Sequence, residues 1–212
     1  MIEENKKKAD LLTLERTARA LKANGFEAEI FNSASQATER IISIIEEGKK
    51  VGLGGSITAA QLGLPERIRG KNTLYTHLPE MSQEERRKVW LSCMDCDFYI
   101  ASPQAVTADG KLIFIDGNGN RCAPITWGPR HILLPAGINK IARNLEEGLW
   151  RMRNISAIAN NIRLNKKNPC VGSGKCEDCS SPERICNLVT QVWKKPRLTK
   201  YTVFLINEEL GY

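Results

Sequence analysis

The amino-acid sequence predicts an α/β protein, a three-layer α/β/α arrangement around a mostly parallel sheet. Three observations carry that expectation. Apolar stretches of strand length alternate with stretches of helical periodicity, the order that gives parallel strands joined by crossover helices. A strand pattern ending near Leu53 breaks at glycines and re-enters a helix, the kind of connection where open α/β sheets collect ligands. Finally, 212 residues that are 42% hydrophobic suffice for one well-formed core but not for two full domains.

Taken in order, Leu11, Leu14, Ala18 and Leu21 form a helical stripe between Glu4 and Asn24, and Asn24-Gly25 stops it. Phe26 to Phe31 reads as a strand. Ser33 with Gln36 is a capping box that opens a helix carrying Ile41, Ile42 and Ile45 to Gly48. Lys49 to Leu53 is the next strand, followed by short helical pieces to Arg69 and a strand at Thr73 to Leu78. Ser82 with Glu85 is a second capping box, opening a helix to about Leu91. Asp97 to Ala101 is a buried strand, and Val106 is expected in a turn at a strand end. Lys111 to Ile115 and Cys122 to Trp127, flanking DGNGNR, are expected to pair as a β-hairpin. His131 to Pro135 is a strand, and a long helix is expected from Asn139 to Leu164 with Ile141, Leu145, Leu149, Met152 and Ile155 inward. Lys200 to Ile206 closes the sheet.

The loop Gly52-Leu53-Gly54-Gly55-Ser56-Ile57-Thr58 is the first candidate site. Its glycines allow a sharp turn, and its N–H groups with the Ser56 and Thr58 hydroxyls suit a small anion. The spacing matches neither nucleotide fingerprint, so a tight packing turn is the alternative. Asn120, Arg121, Asn139 and Lys140 follow predicted strand ends and are placed to face this loop across one cleft. There Arg121 or Lys140 would pair with a carboxylate or phosphate. Turn formation and helix capping are the other readings of the two asparagines. His77 and His131 are read as structural, and no nucleophile–base or paired-carboxylate set is recognisable.

The net charge of +7 belongs to one region: residues 151–200 hold 11 Lys and Arg against 3 Asp and Glu. Without interleaved aromatics this argues for an anionic ligand or acidic partner and against nucleic acid. No apolar run has the roughly 18 residues a membrane span needs, and the charged start lacks an apolar signal region, so a cytoplasmic protein is expected.

Asn168 to Asn187 holds Cys170, Cys176, Cys179 and Cys186 as C-x5-C-x2-C-x6-C, with few apolar residues to bury them. Four thiols on one short loop suit an iron–sulfur cluster, and [4Fe-4S] fits better than zinc, which draws on two separated C-x2-C knuckles. Zinc stays open as the alternative. Cys93, Cys96 and Cys122 are read as ordinary thiols. The expected organisation is an α/β domain from 1–165 plus 197–212, with a Cys-rich insertion at 166–196.

These residues resemble the LUD-domain family of lactate-utilisation proteins (the LutC and YkgG type). The resemblance rests on the Gly52–Thr58 loop, on DGNGNR from Asp116 to Arg121, on Gly128-Pro129, on Gly137-Ile138-Asn139-Lys140, and on the Cys-rich tail ending Glu209-Leu210-Gly211-Tyr212. It implies a fold like the ribose-5-phosphate isomerase and coenzyme A transferase superfamily. In that superfamily a Gly and Ser/Thr loop holds a phosphate or carboxylate, matched in kind by Gly54, Gly55, Ser56 and Thr58. A transferase's catalytic glutamate has no counterpart here. The resemblance further implies oxidation of lactate or another small 2-hydroxy acid alongside iron–sulfur partner subunits. A non-enzymatic binding or regulatory protein with structural zinc is the other function considered.

Overall fold

In the computed structural model, which describes residues 1–212, the strands are β1 (Glu27–Phe31), β2 (Lys50–Leu53), β3 (Thr73–Tyr75), β4 (Phe98–Ile100), β5 (Ala105–Thr107), β6 (Leu112–Asp116), β7 (His131–Gly137), β8 (Ile141–Ala142), β9 (Leu188–Val192) and β10 (Lys200–Ile206). The helices are α1 (Ile2–Ala23), α2 (Ala34–Ile44), α3 (Ile57–Gln61), α4 (Leu64–Ile68), α5 (Gln83–Met94), α6 (Cys122–Thr126), α7 (Leu145–Arg151), α8 (Ala157–Arg163) and α9 (Pro169–Ser173). Six strands form an all-parallel sheet in the order β1-β10-β7-β4-β2-β3. The other four form a smaller sheet, β8-β5-β6-β9, in which β6 runs antiparallel to both its neighbours.

Alternation along the central strands explains the layering. On β10, Tyr201, Val203 and Leu205 point into a core shared with Leu14, Ala18 and Leu21 of α1 and with Val106, Leu112 and Phe114 of the smaller sheet. Phe204 and Ile206 point the other way, against Ile41 of α2 and Leu64 and Ile68 of α4. Strands buried on both faces read as continuous apolar runs, which is why β7 and β10 were visible in sequence. The far side of the smaller sheet packs Ala105, Ile113 and Ile115 against Met152.

Both Ser caps form: Ser33 Oγ accepts from Gln36 N, and Ser82 with Glu85 makes the full reciprocal box. In the first, Gln36 Oε1 accepts from Asn32 N instead of closing the box on Ser33.

Four expectations are corrected. Cys122 to Trp127 is not the second arm of a hairpin: Cys122–Thr126 is helical, because Asp116 Oδ2 accepts from the backbone N–H of Arg121 and of Cys122 at 2.7 Å each and caps that turn. The partner of β6 is β9, an edge strand on which Leu188 and Val189 are exposed. Val106 is not in a turn but in β5, paired with β6 and β8. The long helix does not start at Asn139. Ile138–Lys140 is a single 3-10 turn, Ile141 enters β8, and the helix begins at Leu145 with Asn144 Oδ1 accepting from Glu147 N. A π-helical turn at Met152–Ser156 then inserts extra residue per turn, which rotates Ile155 out to 42% exposure.

The expected insertion at 166–196 contains β9, so its last part is built into the smaller sheet.

Candidate functional site

The loops that leave the carboxyl ends of β2, β3, β4, β6 and β7 meet at one open cleft with a volume of about 630 Å³. Ligands of open parallel sheets collect at such strand ends. Gly55, Ser56 and Thr58 come from the loop after β2, His77 from beyond β3, Ser102 from beyond β4, Asn120 and Arg121 from beyond β6, and Lys140 from the 3-10 turn after β7. Helices α5 and α8 close the sides with Arg86 and Arg163, and the Cys-rich segment closes the far end with Glu183, Arg184 and Ile185.

Lys140 is 3% exposed, yet no carboxylate lies within salt-bridge distance of it. Its Nζ donates to Thr58 Oγ1 at 2.8 Å and to Ser102 Oγ at 2.6 Å. Those hydroxyls pass their own protons to the carbonyls of Leu210 and Pro135. An ammonium has three N–H donors; the hydroxyls take two, and Lys140 borders the cleft. Burial, reinforced by the charges of Arg151 and Arg121, lowers its pKa from 10.5 to about 7. Arg151 fixes the turn that carries it, donating to the Asn139 carbonyl at 2.7 Å and to Ser156 Oγ at 2.9 Å.

Arg121 is held rigidly. Its Nε donates to Asp116 Oδ1 at 2.7 Å and a terminal nitrogen donates to the Ile115 carbonyl. Its aliphatic stem lies over Gly54, where any Cβ would come within 2.9 Å of it. Gly54 therefore supports the cleft from beneath and does not line it. Ser56 lines it while its Oγ accepts from Ala59 N as the cap of α3. Asn139 takes a different role: its amide donates to the Gly211 carbonyl and accepts from Leu210 N, so it clamps the C-terminal segment and is not part of the cleft wall.

His131 is structural. Its Nε2 meets Thr202 Oγ1 at 2.8 Å, Thr202 donates to Glu27, and burial lowers the ring's pKa to about 4. His77, in contrast, faces the cleft with its ring against Gly55. Its Nδ1 accepts from Trp90 Nε1 at 3.4 Å, and burial with the nearby Arg86, Arg163 and Arg121 holds its pKa low, so the neutral ring carries its proton on Nε2. Cys93, Cys96 and Cys122 are buried, and burial pushes the Cys122 thiol up to about 11.

The four clustered cysteines lie on a segment strapped to the π-turn at Met152–Ser156 and to α8 by side chains. Cys176 N donates to Asn154 Oδ1, Asn161 Nδ2 points at Cys170 Sγ from 3.8 Å, and Asn168 donates to Asn161 and to the Glu183 carbonyl. All four cysteines are partly exposed. Burial raises the pKa of Cys170 first, and the charges of Cys179, Cys186 and Cys176 raise it further, so the thiols lie within electrostatic reach of one another. Arg153 sits beside Cys176, and Arg184 donates to the carbonyls of Cys179 and Cys186. No three His, Cys, Asp or Glu side chains group as they would around a single metal ion.

Sequence reasoning did not find Ser102, Arg86, Arg163 or Arg151, whereas Arg184 was legible as a basic residue beside the cysteines. Of those missed, only Ser102 carried a signal, the Ser-Pro turn directly after a strand pattern.

A parallel-sheet α/β protein with a basic cleft at its strand ends is the class these features define. The chain belongs to the LUD-domain family, whose family model matches residues 14–206, and is in that general sense a lactate-utilisation-type protein. A solved structure of a DUF162 family protein from Deinococcus radiodurans has the same fold, with a TM-score of 0.52 at 13% identity over 94% of this chain and 98% of that one. A second match, to eIF2B beta from Chaetomium thermophilum, has a TM-score of 0.37 at 13% identity over 53% of this chain and 40% of that one, too low to bear on the argument. No curated protein matches the chain. No helix is long and apolar enough to cross a membrane.

Proposed function

We propose that this LUD-domain chain is a subunit in the oxidation of lactate or another small 2-hydroxy acid, with the acid's carboxylate held by Lys140 and a [4Fe-4S] cluster held by Cys170, Cys176, Cys179 and Cys186. One observation carries the reading: a single cavity runs from the unpaired Lys140 ammonium to the Cys-rich segment, and Arg184 both lines it and bonds the backbone of two of the cysteines.

Oxidation of a 2-hydroxy acid to a 2-oxo acid releases two electrons and two protons, so it requires an electron route. An iron–sulfur cluster, held by Cys170, Cys176, Cys179 and Cys186, would supply a one-electron relay toward an iron–sulfur partner subunit. The donor set suits such a group: four thiols, an amide N–H aimed at one sulfur, and the guanidinium groups of Arg153 and Arg184 against its negative charge. Zinc at the same four cysteines is the alternative centre.

Lys140 does the binding work. Its third N–H is free for a carboxylate, while Thr58 and Ser102 fix the ammonium and cost the site no competing negative charge. Ser56, Thr58, Asn120 and Arg121 shape the same end.

Anaerobic purification tests the centre. The expected product is brown, absorbs broadly near 400 nm, and contains about four iron and four sulfide per chain. Colourless protein with one zinc, or with no metal after anaerobic reconstitution, contradicts the redox role and favours a binding or regulatory protein.

A further inference from the structure

Six cations line the cleft but only two carboxylates, and both carboxylates are already engaged. Asp116 holds Arg121 at 2.7 Å, and Glu183 holds Lys166 at 3.1 Å. Arg184 is paired with Asp178 at 2.8 Å. Three cations are left without an acid: Lys140 at one end, and Arg86 and Arg163 on the side walls.

The two arginines are fixed by neutral groups. Arg86 donates from Nε and a terminal nitrogen to the carbonyls of Met81 and Pro79, and Arg163 donates to Asn160 Oδ1 from Nε and from Nη2. His77 lines the same cleft, and with Nδ1 accepting from Trp90 its Nε2–H is a donor on the cleft side. Burial, and after it the charges of Arg86, Arg163 and Arg121, lowers the pKa of this ring and keeps it neutral. Volume agrees. At about 30 Å³ for a group the size of a water, the six heavy atoms of a three-carbon hydroxy acid take up at most about 180 Å³, and the cleft has about 630 Å³.

We propose that Arg86, Arg163 and the Nε2–H of His77 form a phosphate subsite, so that the cleft takes a ligand bearing a phosphoryl group. Two fixed guanidinium groups and a neutral imidazole donor match the several oxygens of a phosphate better than one carboxylate. The subsite deepens the hydroxy-acid reading and rests on it for the other end of the ligand. The phosphoryl group then belongs either to a phosphorylated 2-hydroxy acid that spans both ends or to a nucleotide bound beside the acid.

Calorimetric titration of the full chain with pyrophosphate, lactate, 3-phosphoglycerate and ADP separates these cases. Pyrophosphate is expected to bind the wild type and Lys140→Met alike, to lose about tenfold or more in affinity in Arg163→Gln, and to lose more in Arg86→Gln/Arg163→Gln. Lactate is expected to lose affinity in Lys140→Met and to keep it in Arg163→Gln, which also reports that the variant is folded. Tightest binding of 3-phosphoglycerate marks the spanning acid, and tightest binding of ADP marks the nucleotide. Lactate that binds nowhere while pyrophosphate follows the arginines supports the phosphate subsite and removes the carboxylate seat. Pyrophosphate that does not bind the wild type, or that binds both arginine variants as tightly, overturns the proposal.

Discussion

Lys140→Met is expected to make the protein more stable and unable to bind a carboxylate. Methionine keeps the length of the side chain and removes a desolvated ammonium. Thr58 and Ser102 keep the Leu210 and Pro135 carbonyls as acceptors, so no hydroxyl is orphaned. A drop in pKa from 10.5 to about 7 marks the cost of burial, and at about 1.4 kcal/mol per pH unit the gain should reach roughly 2–5 kcal/mol. In a chain of this size each kcal/mol is worth about 2–4 °C of Tm.

The pH dependence has a defined sign. Below pH 7 the lysine is protonated in both folded and unfolded chains, so the cost of burial is present in full and the variant's advantage is greatest. Between pH 7 and 10.5 the folded chain has released a proton that the unfolded chain still holds, so wild-type stability climbs with pH and the gap closes. Wild-type affinity for lactate should fall about tenfold per pH unit above 7, as the ammonium is lost. Denaturant midpoints at pH 6 and pH 9, with lactate titrations at both, check this. Equal stabilisation at the two pH values would remove Lys140 as a strained binding group.

Cys179→Ala should act locally. About twenty residues from Asn168 to Asn187 contain few apolar side chains, and burial cannot repay about 1–2 kcal/mol of backbone entropy per residue. Their side-chain bonds to Asn154, Asn161 and Lys166 help, but thiolate–metal bonds, worth about 10 kcal/mol or more in structural zinc sites, are expected to hold the loop. The variant should lose its iron and be cut by protease within that stretch, while the main thermal transition, carried by the two packed faces of the parallel sheet, stays in place. Strand β9 should survive, since its five-residue ladder with β6 owes nothing to the sulfurs. Global unfolding on loss of the centre would show that the segment belongs to the core.

The parts of this site that sequence made legible are those whose position follows from chain connectivity. Ser56, Thr58, Arg121 and Lys140 come directly after strands, so a parallel sheet brings them to one edge whatever else is true. Arg86 and Arg163 sit on helices, where a cation facing a cleft has the same local sequence as one facing water. Cys122–Thr126 misled because Ile125, Thr126 and Trp127 favour strands, while the cap that makes a helix comes from Asp116, six residues before Cys122. The π-turn at Met152–Ser156 was illegible for a similar reason, since its extra residue changes the helical phase without changing composition.

The central claim is that a hydroxy-acid seat and a thiolate-bound centre are neighbours, joined by Arg184, which lines the cleft and donates to the carbonyls of Cys179 and Cys186. Electron paramagnetic resonance of the anaerobically reconstituted, dithionite-reduced protein, recorded with and without saturating lactate, tests it directly. The account predicts a cluster signal that lactate perturbs in the wild type and leaves unchanged in Lys140→Met; no cluster signal, or one that lactate leaves unaltered in the wild type, would contradict it.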